Sequence, residues 1–233
     1  MEIDLNCDVG EGFPLDAVLM PMITSANIAC GGHAGDLTVS LMTLERAREN
    51  RLQVGAHPGF LDREHFGRRE IDCTPQRVYL ECQTQITALV HLALIAGVKL
   101  KYVKPHGGLY NMACREVDIA RPVVHAVEEH GLALMGLPGS MLARVSRGRI
   151  PFIAEGFADR RYQHDGSLVP RDHPNAFVTT VEEAVHQARW LIETVGVQTL
   201  CVHGDNPEAV AFVAGLRKAL VESGVTIRPF EIV

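Results

Sequence analysis

Short apolar runs alternate with longer amphipathic stretches along the whole chain. The short runs predict strands at Ile3–Cys7, Ser25–Cys30, Gln53–Ala56, Leu100–Val103, Leu132–Met135, Phe152–Ala154 and Thr199–Val202, with a further one at Thr226–Phe230. The amphipathic stretches predict helices over Asp36–Asn50, Thr74–Ala96, Glu116–His130, Thr180–Val195 and Asn206–Ser223. Asp36 and Thr74 are placed to accept the first free backbone N–H groups of their helices, and Pro75 stands at a first helical position. Gly97 and Gly131 supply stops, because glycine accepts the left-handed conformation after a last turn.

Strand and helix in strict alternation predict parallel strands with helices outside them. Six or seven such units suit either a closed barrel or an open doubly wound sheet. No linker, composition break or internal repeat divides the chain, so residues 1–233 are expected to form one α/β unit. With 47% hydrophobic residues, the 233-residue chain has material for a large core. The formal net charge of −6 and the lack of a basic run argue against a nucleic-acid partner. The N-terminus carries no secretory pattern and no long apolar run predicts a membrane span, so a cytoplasmic protein is expected. The six cysteines are scattered and are expected to be reduced; Cys7, Cys30 and Cys201 read as buried thiols, with Cys30 the one considered as a nucleophile.

The polar residues gather just after the strands. Asn6 and Asp8 close the first, Asn27 lies in the second, and Cys30-Gly31-Gly32-His33-Ala34-Gly35-Asp36 follows it. His57 follows the third strand, Lys104-Pro105-His106-Gly107-Gly108-Leu109-Tyr110-Asn111 the fourth, Glu155 to Tyr162 the sixth, and His203-Gly204-Asp205 the seventh. In a parallel α/β fold these segments share one face, the one where barrel enzymes carry their chemistry. A single histidine there is ordinarily a hydrogen-bonded loop residue; His33, His57, His106 and His203 together point to a site. The loop from Gly31 to Asp36 has N–H groups suited to an anion, but no GK[ST] occurs anywhere, so a Walker-type ATP loop is absent. The pairs Arg68-Arg69 and Arg160-Arg161 suit a carboxylate or phosphate, or else a solvated surface. Lys104 ends an apolar strand, where an idle charge is costly.

The stretches DLNCDVGEGF, SANIACGGHAGD, GAHPGF, FGRR, VKPHGGLYN, FADRRY and CVHGDNPEA, in that order from Asp4 to Ala209, resemble the LamB/YcsF family. Gly108 stands where alanine is usual and Pro14 where glycine is common; neither touches the polar residues. The resemblance implies a distorted seven-stranded parallel (β/α) barrel of the glycoside hydrolase/deacetylase type. It also implies the ATP-dependent opening of 5-oxoproline (pyroglutamate) to L-glutamate, with ADP and phosphate as products and 5-oxoprolinase subunits B and C as partners.

That reaction needs a base for water, donors for a developing oxyanion and cations for phosphate and carboxylate. The expected catalytic set is Asp8, His57, Lys104, His106 and Glu155, with Asp8 or Glu155 as base and His57 or His106 moving protons. Asn27, His33, Arg68, Arg69, Asp159, Arg160, His203 and Asp205 are expected around the substrate. ATP, with magnesium if a divalent ion accompanies it, is expected to be bound mainly by the partners; a homo-oligomer is compatible with the sequence. No metal ligand set is assigned, since no HxxxH or HExxH spacing occurs. The alternative is a metal-dependent deacetylase or amidohydrolase in which Asp8, His57 and His106 converge in space. A third reading is a non-catalytic component of a larger enzyme.

Overall fold

A computed structural model of the chain describes residues 1–203 and 208–232. Seven parallel strands form a closed ring: β1 (Glu2–Val9), β2 (Ser25–Ala29), β3 (Gln53–His57), β4 (Leu100–Val103), β5 (Ala133–Gly136), β6 (Phe152–Phe157) and β7 (Thr199–Val202). Each pairs with the next in chain order, and β1 closes the ring by pairing with β2 through Asn6–Ser25 and with β7 through Asp4–Thr199. Of the two architectures that the alternation of elements allows, the closed barrel is the one formed. A two-residue β8 (Thr226–Ile227) pairs beside the start of β1, shorter than the run to Phe230 implies.

The helices form where the caps predict. Asp36 accepts the Val39 N–H at 2.9 Å ahead of α2 (Leu37–Glu49), and Thr74 accepts that of Arg77 ahead of α3 (Pro75–Ala96). The four-residue α1 (Asp16–Leu19) is too short to register as a periodic pattern. By length and composition α3 would suffice to cross a membrane. Its buried residues Val78, Cys82, Ile86, Leu89, Ala93 and Ala96 instead lie in the main core.

One segment differs in kind from expectation. Gly107–Arg115 forms a helix, α4, where two glycines read as loop. The Gly107 and Gly108 positions lie so close to residues 67–69 that a Cβ on Gly108 would stand 2.1 Å from the Arg69 carbonyl. Close packing, which propensity does not sense, sets the start of this helix.

The strands are not uniformly apolar. Ile3, Leu5, Cys7 and Val9 of β1 belong to the main core, while Asp4, Asn6 and Asp8 make their hydrogen bonds with residues of neighbouring strands. Side chains alternate faces along a strand, so these polar residues line the barrel interior. Beyond them Tyr102 packs against Phe230, with Ala133, Met135 and Ile153, in a second apolar cluster.

Candidate functional site

Inside the barrel a chain of hydrogen bonds rises from Asp4 to the mouth. Asp4 accepts from Thr24, Ser25 and Thr199. Thr199 accepts from Asn6 Nδ2 at 2.8 Å, and Asn27 Nδ2 donates to Asn6 Oδ1 and Asp8 Oδ1 at 2.7 and 2.8 Å. Tyr102 donates its hydroxyl to Asn27 Oδ1 at 2.7 Å. Asn27 is therefore a buried support for Asp8, not a wall of the open site.

Lys104 follows β4 and stands at the top of this network. Its Nζ lies 3.0 Å from Asp8 Oδ1, 2.8 Å from Glu155 Oε1 and 3.3 Å from Asn6 Oδ1. It also donates to Cys201 Sγ at 3.1 Å, so Cys201 is a ligand of the ammonium and not simply an apolar filler. Burial alone would release the Lys104 proton; the Asp8 and Glu155 carboxylates reverse this and hold its pKa well above the ordinary lysine value. Glu155 lies within β6, not after it, and is wholly buried, with Oε2 accepting from Tyr110 at 2.9 Å.

Asp8 fronts the open space. Burial would raise its pKa, but His57 and Lys104 outweigh that and hold the carboxyl well below the usual range. His57 responds in the opposite sense: burial would lower its pKa, and Asp8, 3.3 Å from Nε2, raises it. His57 Nδ1 donates to the Lys104 carbonyl at 2.7 Å. His106 lies 3.0 Å away, Nδ1 to His57 Nε2, and its Nε2 donates to the Phe66 carbonyl at 2.8 Å. Burial, with His33 and His57 as neighbours, holds the His106 pKa well below the ordinary value.

His33 stacks on His106 with ring centroids 3.7 Å apart and reaches Glu11 Oε1 at 3.0 Å. Glu11, to which the sequence assigns no role, thus joins the histidines; it is signalled only by its place in the turn after β1. The anion cradle expected between Gly31 and Asp36 is partly closed, since the Gly31 N–H already donates to the Ala34 carbonyl. Burial pushes the Cys30 thiol up to about 12, which removes it as a nucleophile.

Two adjoining recesses open above these groups, the second the larger. Asp8, His106, Arg68 and His203 border both; His57, Lys104, Tyr110 and Arg160 border the larger. Asp159 accepts from the backbone and ring of His203, at 2.9 and 2.7 Å, and so holds that ring in place. Arg160 donates to the Val169 carbonyl at 2.6 Å, and burial lowers its pKa to about 10. The arginine pairs divide: Arg69 forks onto Asp62 at 3.0 and 3.1 Å and Arg161 pairs with Glu183, so neither borders a recess. Arg69 is thereby removed from the expected substrate contacts. Asp205 lies outside the described residues.

The closed seven-stranded parallel (β/α) barrel has, as a fold, the architecture of carbohydrate deacetylases. The fold is shared with a family 4 carbohydrate esterase from Streptomyces lividans, 11% identical over 97% of this chain and 91% of that one (TM-score 0.54). A polysaccharide deacetylase from Bacillus cereus is 16% identical over 99% and 93% (TM-score 0.56). A lactam utilization protein from Thermus thermophilus superposes far better, at TM-score 0.91 and 36% identity over 99% of this chain and 100% of that one. The LamB/YcsF family model matches residues 3–233, and the chain belongs to that family. It is 43% identical to the 5-oxoprolinase A subunit of Symbiobacterium thermophilum, over 97% of this chain and 94% of the relative. The corresponding protein of Tolumonas auensis is 40% identical over 97% and 98%.

Proposed function

We propose that the chain is the A subunit of an ATP-dependent 5-oxoprolinase and takes part in opening the lactam of 5-oxoproline to L-glutamate. Its identity to two such proteins over nearly its full length supports the substrate. The observation that carries the catalytic assignment is Asp8, ionised and bordering both recesses, held by Lys104 and Asn27 on one oxygen and facing His57 with the other.

Ring opening adds water to the lactam carbonyl carbon and breaks the C–N bond. Converting the carbonyl oxygen to a phosphate ester, with ATP as donor and ADP as product, makes that carbon more electrophilic. Water addition and C–N cleavage then leave an acyl phosphate, which a second water hydrolyses to L-glutamate and phosphate. Asp8, held in place beside His57, takes the proton of the attacking water and returns one to the departing nitrogen. Lys104 borders the larger recess and stabilises negative charge developing near Asp8. Glu155 lies behind Lys104 and positions it. Arg68 and Arg160 border the larger recess and suit a carboxylate or phosphate. The chain has no GK[ST] loop, so ATP, with any accompanying magnesium, is assigned mainly to the B and C subunits.

The test is glutamate release from 5-oxoproline and ATP. The chain alone is expected to release little, and addition of B and C subunits to restore turnover. Full turnover by the chain alone overturns this division of labour. Acetate release from N-acetylated sugars, with no glutamate from the assembled enzyme, overturns the substrate.

A further inference from the structure

Glu11, His33, His57 and His106 bring ligand atoms within 4.8 Å of one another. Their hydrogen bonds decide which of them can share an ion. His57 gives its Nδ1 proton to the Lys104 carbonyl, and His106 gives its Nε2 proton to the Phe66 carbonyl. A carbonyl only accepts, so both outer protons are committed. The two remaining nitrogens, His57 Nε2 and His106 Nδ1, face each other at 3.0 Å. With its carboxylate 3.3 Å away, Asp8 favours a proton on His57 Nε2, which His106 Nδ1 can accept; a divalent cation between the two nitrogens takes the place of that proton. An outer N–H bound to a backbone carbonyl is also how metal-bound histidines are oriented.

Glu11 completes the set. Its Oε1 lies 3.5 Å from His106 Nδ1 and 3.8 Å from His57 Nε2. A triangle with edges 3.0, 3.5 and 3.8 Å has a circumscribed circle of radius about 2.0 Å, the length of a zinc–nitrogen or zinc–oxygen bond. One point therefore stands at bonding distance from all three atoms without any movement of the chain.

The other neighbours do not fit. The His33 ring is parallel to that of His106, within 5° at 3.7 Å. Stacked rings present parallel in-plane lone pairs, which cannot converge on one ion. His33 Nε2 instead donates to Glu11 Oε1 and fixes the carboxylate. Asp8 Oδ2 lies 3.3 Å from His57 Nε2, but its other oxygen is committed to Lys104 and Asn27, and that ammonium opposes a second cation at the same carboxylate.

We propose that Glu11 Oε1, His57 Nε2 and His106 Nδ1 form a site for one divalent first-row transition metal ion, with His33 as a positioning residue and Asp8 outside the ligand set. Two imidazoles and one carboxylate favour zinc, iron(II), cobalt(II) or manganese(II) over magnesium or calcium. The site stands on geometry alone and does not depend on the identity of the substrate.

The full chain, stripped with chelator and titrated with zinc or cobalt(II), is the test. Metal content after desalting and the visible spectrum of the cobalt form are the readouts. The expected result is one ion per chain, with affinity lowered at least 10-fold by Glu11→Gln and about 10-fold by His33→Gln. Asp8→Asn is expected to retain the ion at full stoichiometry. No stoichiometric binding by the unaltered chain overturns the site. Loss of the ion in Asp8→Asn with retention in Glu11→Gln overturns the ligand set, as does binding insensitive to Glu11→Gln. The unaltered chain decides the first point even if a variant fails to fold.

Discussion

Lys104 Nζ and Glu155 Oε1 meet at 2.8 Å inside the barrel, with side chains only 3% and 0% exposed. The same ammonium holds Asp8 at 3.0 Å, so one cation serves a buried carboxylate and one at the open recess. Removing it leaves Glu155 buried without its counter-charge and Asp8 without its own. Lys104→Met is therefore expected to destabilise the fold by roughly 3–5 kcal/mol. Glu155→Gln leaves Lys104 with Asp8 and is expected to cost less, roughly 1–3 kcal/mol. Urea unfolding of the two variants checks the order; equal losses would contradict it.

Asp8→Ala is expected to lower glutamate release by the assembled enzyme about 10²–10⁴-fold, the usual effect of losing a general base. The fold should survive, because Asn27 keeps its bond to Asn6 and Lys104 keeps Glu155. Turnover and the far-ultraviolet dichroism spectrum measure the two halves of this claim; unchanged turnover would remove Asp8 from the mechanism.

Asp4 lies beneath the site with its pKa raised to about 6, chiefly by burial, against 3.8 for the free side chain. A raised carboxyl pKa means that the folded state holds its proton more tightly than the unfolded one. The resulting stability is present in full below about pH 4 and lost as the pH rises through 6. Between pH 5 and 8 the loss from this group is about 1 kcal/mol. Asp4→Asn has no such proton to lose, so its stability relative to the unaltered chain should improve by that amount over the interval. Denaturation midpoints at both pH values test this.

Gly55 makes room for a side chain on the next strand. A Cβ there would stand 2.3 Å from the Tyr102 ring, whose hydroxyl donates to Asn27. Gly55→Ala is expected to displace the ring and loosen that bond, at about 1–3 kcal/mol. Thermal unfolding measures the loss; a melting temperature equal to that of the unaltered chain would contradict the packing argument.

The order of strands and helices was legible in the sequence, because burial of one helix stripe and of short apolar runs writes itself into residue spacing. So were the helix starts at Asp36 and Thr74, which depend on local hydrogen bonds. The gathering of Asp8, His57, Lys104 and His106 at one end followed from the direction of parallel strands, and the tertiary structure places them there. Only the closed barrel decided the rest. Closure turned Asp4, Asn6 and Asp8 inward to face Ser25, Asn27, Lys104 and Thr199, residues up to 195 positions away along the chain. It placed Glu155 behind Lys104, and turned Arg69 to Asp62 and away from the recesses. It also set Glu11 among three histidines. Local spacing records which way a side chain points along its own strand, but distances between side chains on different strands depend on register and barrel closure. Those distances, not the residue types, separate the carboxylate that borders the recesses from those buried behind it.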